Sequence, residues 1–201
     1  MIDAFRANPW TYGLGAGVLV LAMIGVIVGI IWKGWWKDRG LMIRDGKPLK
    51  WDPGVFPLML WAEPSVDERF ITHLLDAILE FRRICGRAVI SVPTFAEFPG
   101  DVDSPLPTGT VIVRGRLDGF AGETSLQYDT RTGILRSAVV TLSSNLPAGE
   151  LYAGAVARHE LGHVLGLDHD GGGSSIMCPL ITVREMAFTD ADCGLLKRLY
   201  G

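Results

Sequence analysis

The chain has no excess of charge of either sign. Its 201 residues include 19 basic and 22 acidic side chains, which gives a net charge of −3. It has no basic stripe, no zinc-knuckle spacing and no interleaving of aromatic and basic residues, which are features of nucleic-acid-binding domains. The sequence therefore predicts no nucleic-acid partner, in a chain long enough for one medium-sized domain and a small appendage.

Cysteine is scarce as well. The chain has three cysteines, an odd number, so one thiol stays unpaired even if the other two are bridged. A disulfide between Cys178 and Cys193 is one candidate in an oxidising compartment. The alternative is that Cys85, Cys178 and Cys193 are small buried side chains. The spacing alone does not decide between them.

Charge is absent altogether from residues 7–32, which are almost wholly apolar from Leu14 to Trp32 and have tryptophans at both ends. A helix needs about 20 apolar residues to cross a bilayer, and aromatic residues concentrate at its two interfaces. The run is longer than the core of a cleaved signal peptide. The sequence predicts a tail at residues 1–10, a single transmembrane helix at residues 11–32 that contacts the lipid bilayer, and a juxtamembrane linker at residues 33–50.

The predicted span leaves its pairing and its orientation open. Gly13 with Gly17, and Gly25 with Gly29, have the small-residue spacing that lets two such helices pack closely and self-associate. Six basic residues follow the span between residues 33 and 50. The positive-inside rule then places the following domain in the cytoplasm.

Histidine is rare too, yet three of the four histidines lie within the segment HELGHVLGLDH. In a helix, His159 and His163 are one turn apart on one face, a spacing at which two imidazoles can share a zinc ion. Gly166 permits the turn that brings His169 back as a third ligand. Glu160 can reach a water in the open fourth position. The pattern predicts one catalytic Zn²⁺ with Glu160 as the general base.

This segment resembles the zinc signature of the metzincin metalloproteases, His-Glu-x-x-His-x-x-Gly-x-x-His followed by a methionine-containing turn. Met177, in Ser175-Ile176-Met177, corresponds to that turn. The C-terminal segment resembles the closing helix of the matrixin branch, and Asp170 is more like the adamalysin branch. The resemblance implies a zinc metalloprotease catalytic domain over residues 51–201. Many metzincins work outside the cell, which points to an extracytoplasmic domain, against the charge rule.

Hydrophobic periodicity predicts an α+β domain. Helices are predicted over residues 67–84, 150–165 and 190–199, the last one capped by Thr189. Strands are predicted over residues 55–61, 87–92 and 111–116, followed by a hairpin of residues 123–129 and 134–143. This order agrees with a metzincin-like zincin domain that has a mixed twisted sheet, a long backing helix, an active-site helix, a Met-turn and a C-terminal helix.

The motif and the resemblance together predict a membrane-anchored zinc endopeptidase that cuts a protein or peptide with a metal-activated water. An extended substrate would add a strand to the edge of the sheet. The resemblance implies that the edge strand and pocket contain Gly122, Glu123, Thr124, Leu126, Leu180 and Ile181. One alternative is a non-catalytic, membrane-tethered interaction or assembly module, although a structural zinc does not need Glu160. Another is a hydrolase of cell-wall peptides.

Overall fold

The computed structural model describes residues 40–102, 104–116, 121–144, 150–170, 175–179 and 187–201. The predicted transmembrane helix at residues 11–32 lies outside these residues, as do the predicted tail, residues 33–39 of the linker, and the pocket residues Leu180 and Ile181. No helix in the described part of the chain is long and apolar enough to cross a membrane. Gly40–Gly201 forms one compact unit.

The described residues of this unit form eight strands, six of them in one mixed sheet. The strands are β1 (Ile43–Arg44), β2 (Lys47–Pro48), β3 (Lys50–Trp51), β4 (Met59–Ala62), β5 (Thr94–Phe95), β6 (Thr110–Arg116), β7 (Gly122–Tyr128) and β8 (Ile134–Ser143). Parallel pairing gives the order β3-β8-β6-β4-β5, and β7 joins β8 in antiparallel register. Among the described strands β7 pairs with β8 alone, so its other edge is open to a further strand.

Three helices are described: α1 (Glu68–Cys85), α2 (Glu150–Val164) and α3 (Asp190–Tyr200). The side chain of Asp67 accepts a hydrogen bond from the first turn of α1, and Gly86 ends that helix with a left-handed φ of 69°. Thr189 and Asp192 form a reciprocal capping box at the start of α3. These local signals explain why α1 and α3 begin and end within a residue or two of the predicted positions; α2 also lies within a residue of its predicted bounds.

The hydrophobic core lies where α1 and α2 pack against each other and against the sheet. Phe70, Leu74 and Phe81 line the buried face of α1 and are almost fully shielded from solvent. Each such side chain contributes about 1.5–3 kcal/mol by its removal from water. Helix α2 is buried on several sides, and contacts both α1 and the β7–β8 hairpin. The core therefore holds the predicted zinc-binding helix in a fixed position under the sheet edge.

Three predicted boundaries differ from the structure. The strand predicted over residues 55–61 begins later than expected, because Pro53–Val55 form a 3-10 helix and β4 starts at Met59. The strand predicted at residues 87–92 is wrong in place: only Ile90 forms an isolated bridge, to Leu58, and the continuous pairing with β4 lies after Pro93, in β5. A proline cannot donate to a ladder, so pairing is interrupted there. The compact unit begins at Gly40 rather than at residue 51, so residues 40–50 of the predicted linker fold with the domain.

Residues 40–50 join the domain because their apolar side chains are buried in its core. Leu41 and Leu49 are 4% and 2% exposed, and Leu41 forms a bridge to Leu167. The β1–β2 hairpin turns at Asp45 and Gly46, which both have positive φ, as a two-residue hairpin turn requires. This hairpin therefore lies next to the chain that follows α2.

Candidate metal centre and its cleft

Helix α2 ends in a sharply defined turn. Gly166 has a left-handed φ of 85°, and a Cβ at this position would collide with the carbonyl oxygen of Leu49, so only glycine fits. The last helical carbonyls are satisfied from elsewhere: Trp51 Nε1 donates to Val164 O at 2.7 Å, and Tyr200 Oη donates to Leu165 O at 2.9 Å. This end geometry redirects the chain so that His169 returns to α2.

The three histidine rings converge on one point. Nε2 of His163 lies 3.0 Å from Nε2 of His159 and 3.2 Å from Nε2 of His169, and the third Nε2 pair is 3.3 Å apart. Nitrogen ligands at 2.0–2.1 Å from a tetrahedral zinc lie about 3.3 Å from one another. The spacing is that of three ligands of one small metal ion.

Hydrogen bonds at the other ring nitrogens fix the tautomers. Nδ1 of His159 lies 2.8 Å from Ile176 O, and Nδ1 of His163 lies 2.8 Å from Leu167 O. Because a carbonyl only accepts, both Nδ1 atoms carry the proton. Burial lowers the pKa of both rings, that of His163 to about 4, which favours the neutral form in which Nε2 presents a lone pair. Two lone pairs 3.0 Å apart repel each other, and a cation between them removes that repulsion.

Met177 lies fully buried in the turn beneath the histidines. A Cβ at Gly162 of α2 would come within 2.5 Å of the Met177 sulfur, so a glycine is needed for the turn to pack this closely. Ser175 Oγ accepts from Met177 N at 2.9 Å, and Met177 O accepts from Asp170 N at 2.9 Å. The turn thus fixes both the carbonyl that orients His159 and the backbone next to His169.

Glu160 lies beside the three rings and is only 4% exposed. Burial raises the pKa of its carboxyl group to about 7, against the opposing effect of a hydrogen bond from Thr124. Thr124 Oγ1 donates to Glu160 Oε2 at 2.6 Å and lies 3.2 Å from the Glu160 carbonyl oxygen. The carboxyl group is therefore held in one orientation and can exchange a proton near neutral pH.

Gly122 lets Glu160 reach this position. A Cβ at Gly122 would come within 2.6 Å of Glu160 Oε1, so any side chain here would displace the carboxylate. Gly122 and Thr124 are two residues apart in β7 and so face the same side of the strand. The edge strand therefore contributes directly to the environment of Glu160.

A cleft of about 630 Å³ opens over the three histidines and Glu160. Among the predicted edge residues, Gly122, Glu123 and Thr124 line it, whereas Leu126 packs against the hydrophobic core instead. Asp168 is partly buried at the cleft, and its carboxylate accepts from His169 N at 2.8 Å.

Two cleft residues were missed because they belong to the predicted linker. Met42 and Arg44 line the cleft from the β1–β2 hairpin. The Asp45-Gly46 dipeptide between short extended segments is a hairpin signal that could have identified this element. The three cysteines are free thiols, so the candidate disulfide between Cys178 and Cys193 is absent from the structure.

The mixed sheet, the three described helices and the three-histidine cluster together fit a metzincin-like domain. Residues 117–201 match the family model described as Matrixin, and the histidine cluster fits the metzincin zinc-binding motif. This match covers less than half of the chain, and together with the histidine cluster it supports a zinc metalloprotease. The comparison with curated proteins gives no match.

Proposed function

We propose that the protein is a membrane-anchored zinc endopeptidase. The observation that carries the proposal is the convergence of three imidazole Nε2 atoms within 3.3 Å of one another, next to the buried carboxyl group of Glu160. Three protein ligands leave a fourth position for a reactant, as in catalytic zinc sites. A structural site would not need a nearby carboxyl group whose pKa lies near neutrality.

His159, His163 and His169 would hold a single zinc ion. When bound, such an ion supplies a Lewis acid that polarises a peptide carbonyl and lowers the pKa of a water. Glu160 takes the proton of the attacking water and gives it to the amine that leaves. Thr124 holds the carboxylate in the orientation that both transfers need.

The substrate binds as an extended peptide along β7. The open edge of that strand presents backbone N–H and C=O groups, which pair with a peptide by adding a strand to the sheet. Peptide bonds, rather than other amides or esters, fit this mode of recognition because the pairing uses the substrate's own backbone.

Residues 11–32 anchor the domain in a membrane as a single span. The charge-free apolar sequence supports this part of the proposal, and the glycine pairs support association of two spans. The basic residues that follow favour a cytoplasmic domain, and the family resemblance favours an extracytoplasmic one. Labelling of Cys178 in intact cells with a membrane-impermeant thiol reagent distinguishes the two orientations.

The test uses the whole chain purified in detergent with zinc. We expect one zinc per chain by elemental analysis, cleavage of a quenched peptide library, and loss of that cleavage with a chelator. Glu160→Gln should retain the zinc and lose at least 100-fold in kcat, since it cannot take a proton. Full activity of this variant would refute the mechanism. Bound zinc with no cleavage of any peptide would support the non-catalytic tethered module instead.

A further inference from the structure

One cation from outside the metal motif lines the cleft. Arg44 lies in β1, and Met42, two residues earlier, lines the same cleft. Residues two apart in an extended chain face the same side, and the side chain of Leu41 is buried in the core instead. The hairpin therefore turns an apolar side chain and a guanidinium together toward the cleft.

The hairpin is fixed to the chain segment that carries the metal ligands. Met42 N donates to Gly166 O at 2.9 Å, and Asp168 N donates to Gly40 O at 2.9 Å. Leu49 N donates to Met42 O at 2.8 Å, which closes the hairpin on its own base. Because these bonds are backbone bonds, the position of Arg44 next to the metal centre does not depend on its own side chain.

The carboxylates of the cleft already have other partners. Glu123 forms an ion pair with Arg116 at 3.3 Å, and Glu160 accepts from Thr124. Asp168 accepts from the backbone N–H of His169. Arg44 belongs to none of the ion pairs of the described residues, so its guanidinium is exposed and available to a ligand.

We propose that Met42 and Arg44 form a substrate subsite for a carboxylate. A guanidinium binds a carboxylate through two parallel hydrogen bonds, and the Met42 thioether can pack against the methylenes of a glutamate. The carboxylate comes from an acidic side chain or from the C-terminus of the peptide. This inference rests on the proposed peptidase function and adds the class of residue that the enzyme selects.

The experiment compares the zinc-loaded whole chain with two variants on a mixed peptide library, with cleavage sites read by mass spectrometry. Arg44→Gln removes the proposed contact. Lys47→Gln is the matched control. Lys47 is the residue paired with Arg44 in the hairpin and does not line the cleft, so this substitution removes the same charge at a neighbouring position outside the cleft. A glutamate peptide and its glutamine counterpart, each with a free and an amidated C-terminus, then give kcat/KM values.

We expect the wild type and Lys47→Gln to prefer an acidic residue at one fixed distance from the cut. The preference for glutamate over glutamine should be about threefold to tenfold, the range for an exposed charge-assisted contact, and should vanish in Arg44→Gln. Arg44→Glu should reverse it toward lysine. If amidation of the C-terminus lowers kcat/KM and replacement of glutamate by glutamine does not, the ligand is the C-terminal carboxylate.

Several results would overturn the subsite. They are a wild type that favours neither glutamate over glutamine nor a free over an amidated C-terminus, an unchanged preference in Arg44→Gln, or an equal loss in Lys47→Gln. If the wild type cuts no peptide, the proposed function fails, and the subsite is judged by fluorescence polarisation of the same labelled peptides. Equal affinity of wild type and Arg44→Gln for the glutamate peptide would then reject the subsite, and a threefold to tenfold difference would support it.

Discussion

The hydrogen bond from Thr124 to Glu160 gives the sharpest prediction about catalysis. Thr124→Val removes the hydroxyl while keeping the shape of the side chain, and leaves Glu160 Oε2 without its 2.6 Å partner. A hydrogen bond to a charged group is worth about 1.5–3 kcal/mol, and each 1.4 kcal/mol corresponds to a factor of ten. If the bond serves the transition state, kcat should fall about tenfold to 100-fold.

The assay is the steady-state cleavage of one quenched peptide, with zinc content measured on the same samples. KM and zinc content should stay at the wild-type level, because Thr124 contacts the carboxylate and none of the three histidine rings. Thr124→Ser keeps the hydroxyl and should restore kcat. Thr94→Val, the same chemical change at an exposed position in β5, is the control for general effects. A wild-type kcat in Thr124→Val, or a loss that serine does not restore, would refute the positioning role.

Three further predictions concern the frame of the site. Gly166→Ala should lower the free energy of unfolding in denaturant by more than about 3 kcal/mol, since it combines a positive φ with a collision against Leu49. Gly86→Ala, at a similar φ but in open space, should lower it by about 1 kcal/mol. Equal losses in the two variants would contradict this prediction. Burial raises the pKa of the Cys85 thiol to about 11, so Cys85 should resist alkylation at pH 8 and react as the pH rises toward 11. Rapid labelling of Cys85 in the folded protein at pH 8 would contradict the raised pKa. Removal of zinc should lower the Tm, because the ion binds the three histidines only when the protein is folded. An unchanged Tm would show that the site holds no zinc.

The elements that could be read from the sequence are those whose signals are local. Asp67 begins α1 and Thr189 begins α3 through hydrogen bonds to residues within three positions, and Gly86 ends α1 through its left-handed φ. The two α2 histidines belong to the same class, because their spacing is that of one helical turn. Such features need no knowledge of which parts of the chain meet.

The packing of residues 40–50 onto the core could not be assigned in this way. The Asp45-Gly46 dipeptide is a local signal for a hairpin turn, but it does not show where the hairpin packs. The charged composition and the Gly and Pro residues of the segment indicate a linker, and only the contacts of Leu41 and Leu49 with the core show that it folds with the domain. Those contacts depend on Leu167, far away in the sequence. Two buried leucines provide about 3–6 kcal/mol, enough to order a short segment against its conformational entropy once the hairpin bonds are added.

The environment of Glu160 depends on strand register in the same non-local way. Thr124 lies 36 positions before Glu160, and the pairing of β7 with β8 decides which side chain faces the carboxyl group. A shift of one residue would exchange the two faces of β7 and turn Glu123 or Ser125 toward Glu160. A second carboxylate at that place would disfavour the ionised form of Glu160 instead of holding it. The register of β7 against β8 therefore also determines how the carboxyl group of Glu160 is held. For this reason the sequence could place Thr124 in the edge strand without revealing its hydrogen bond to Glu160.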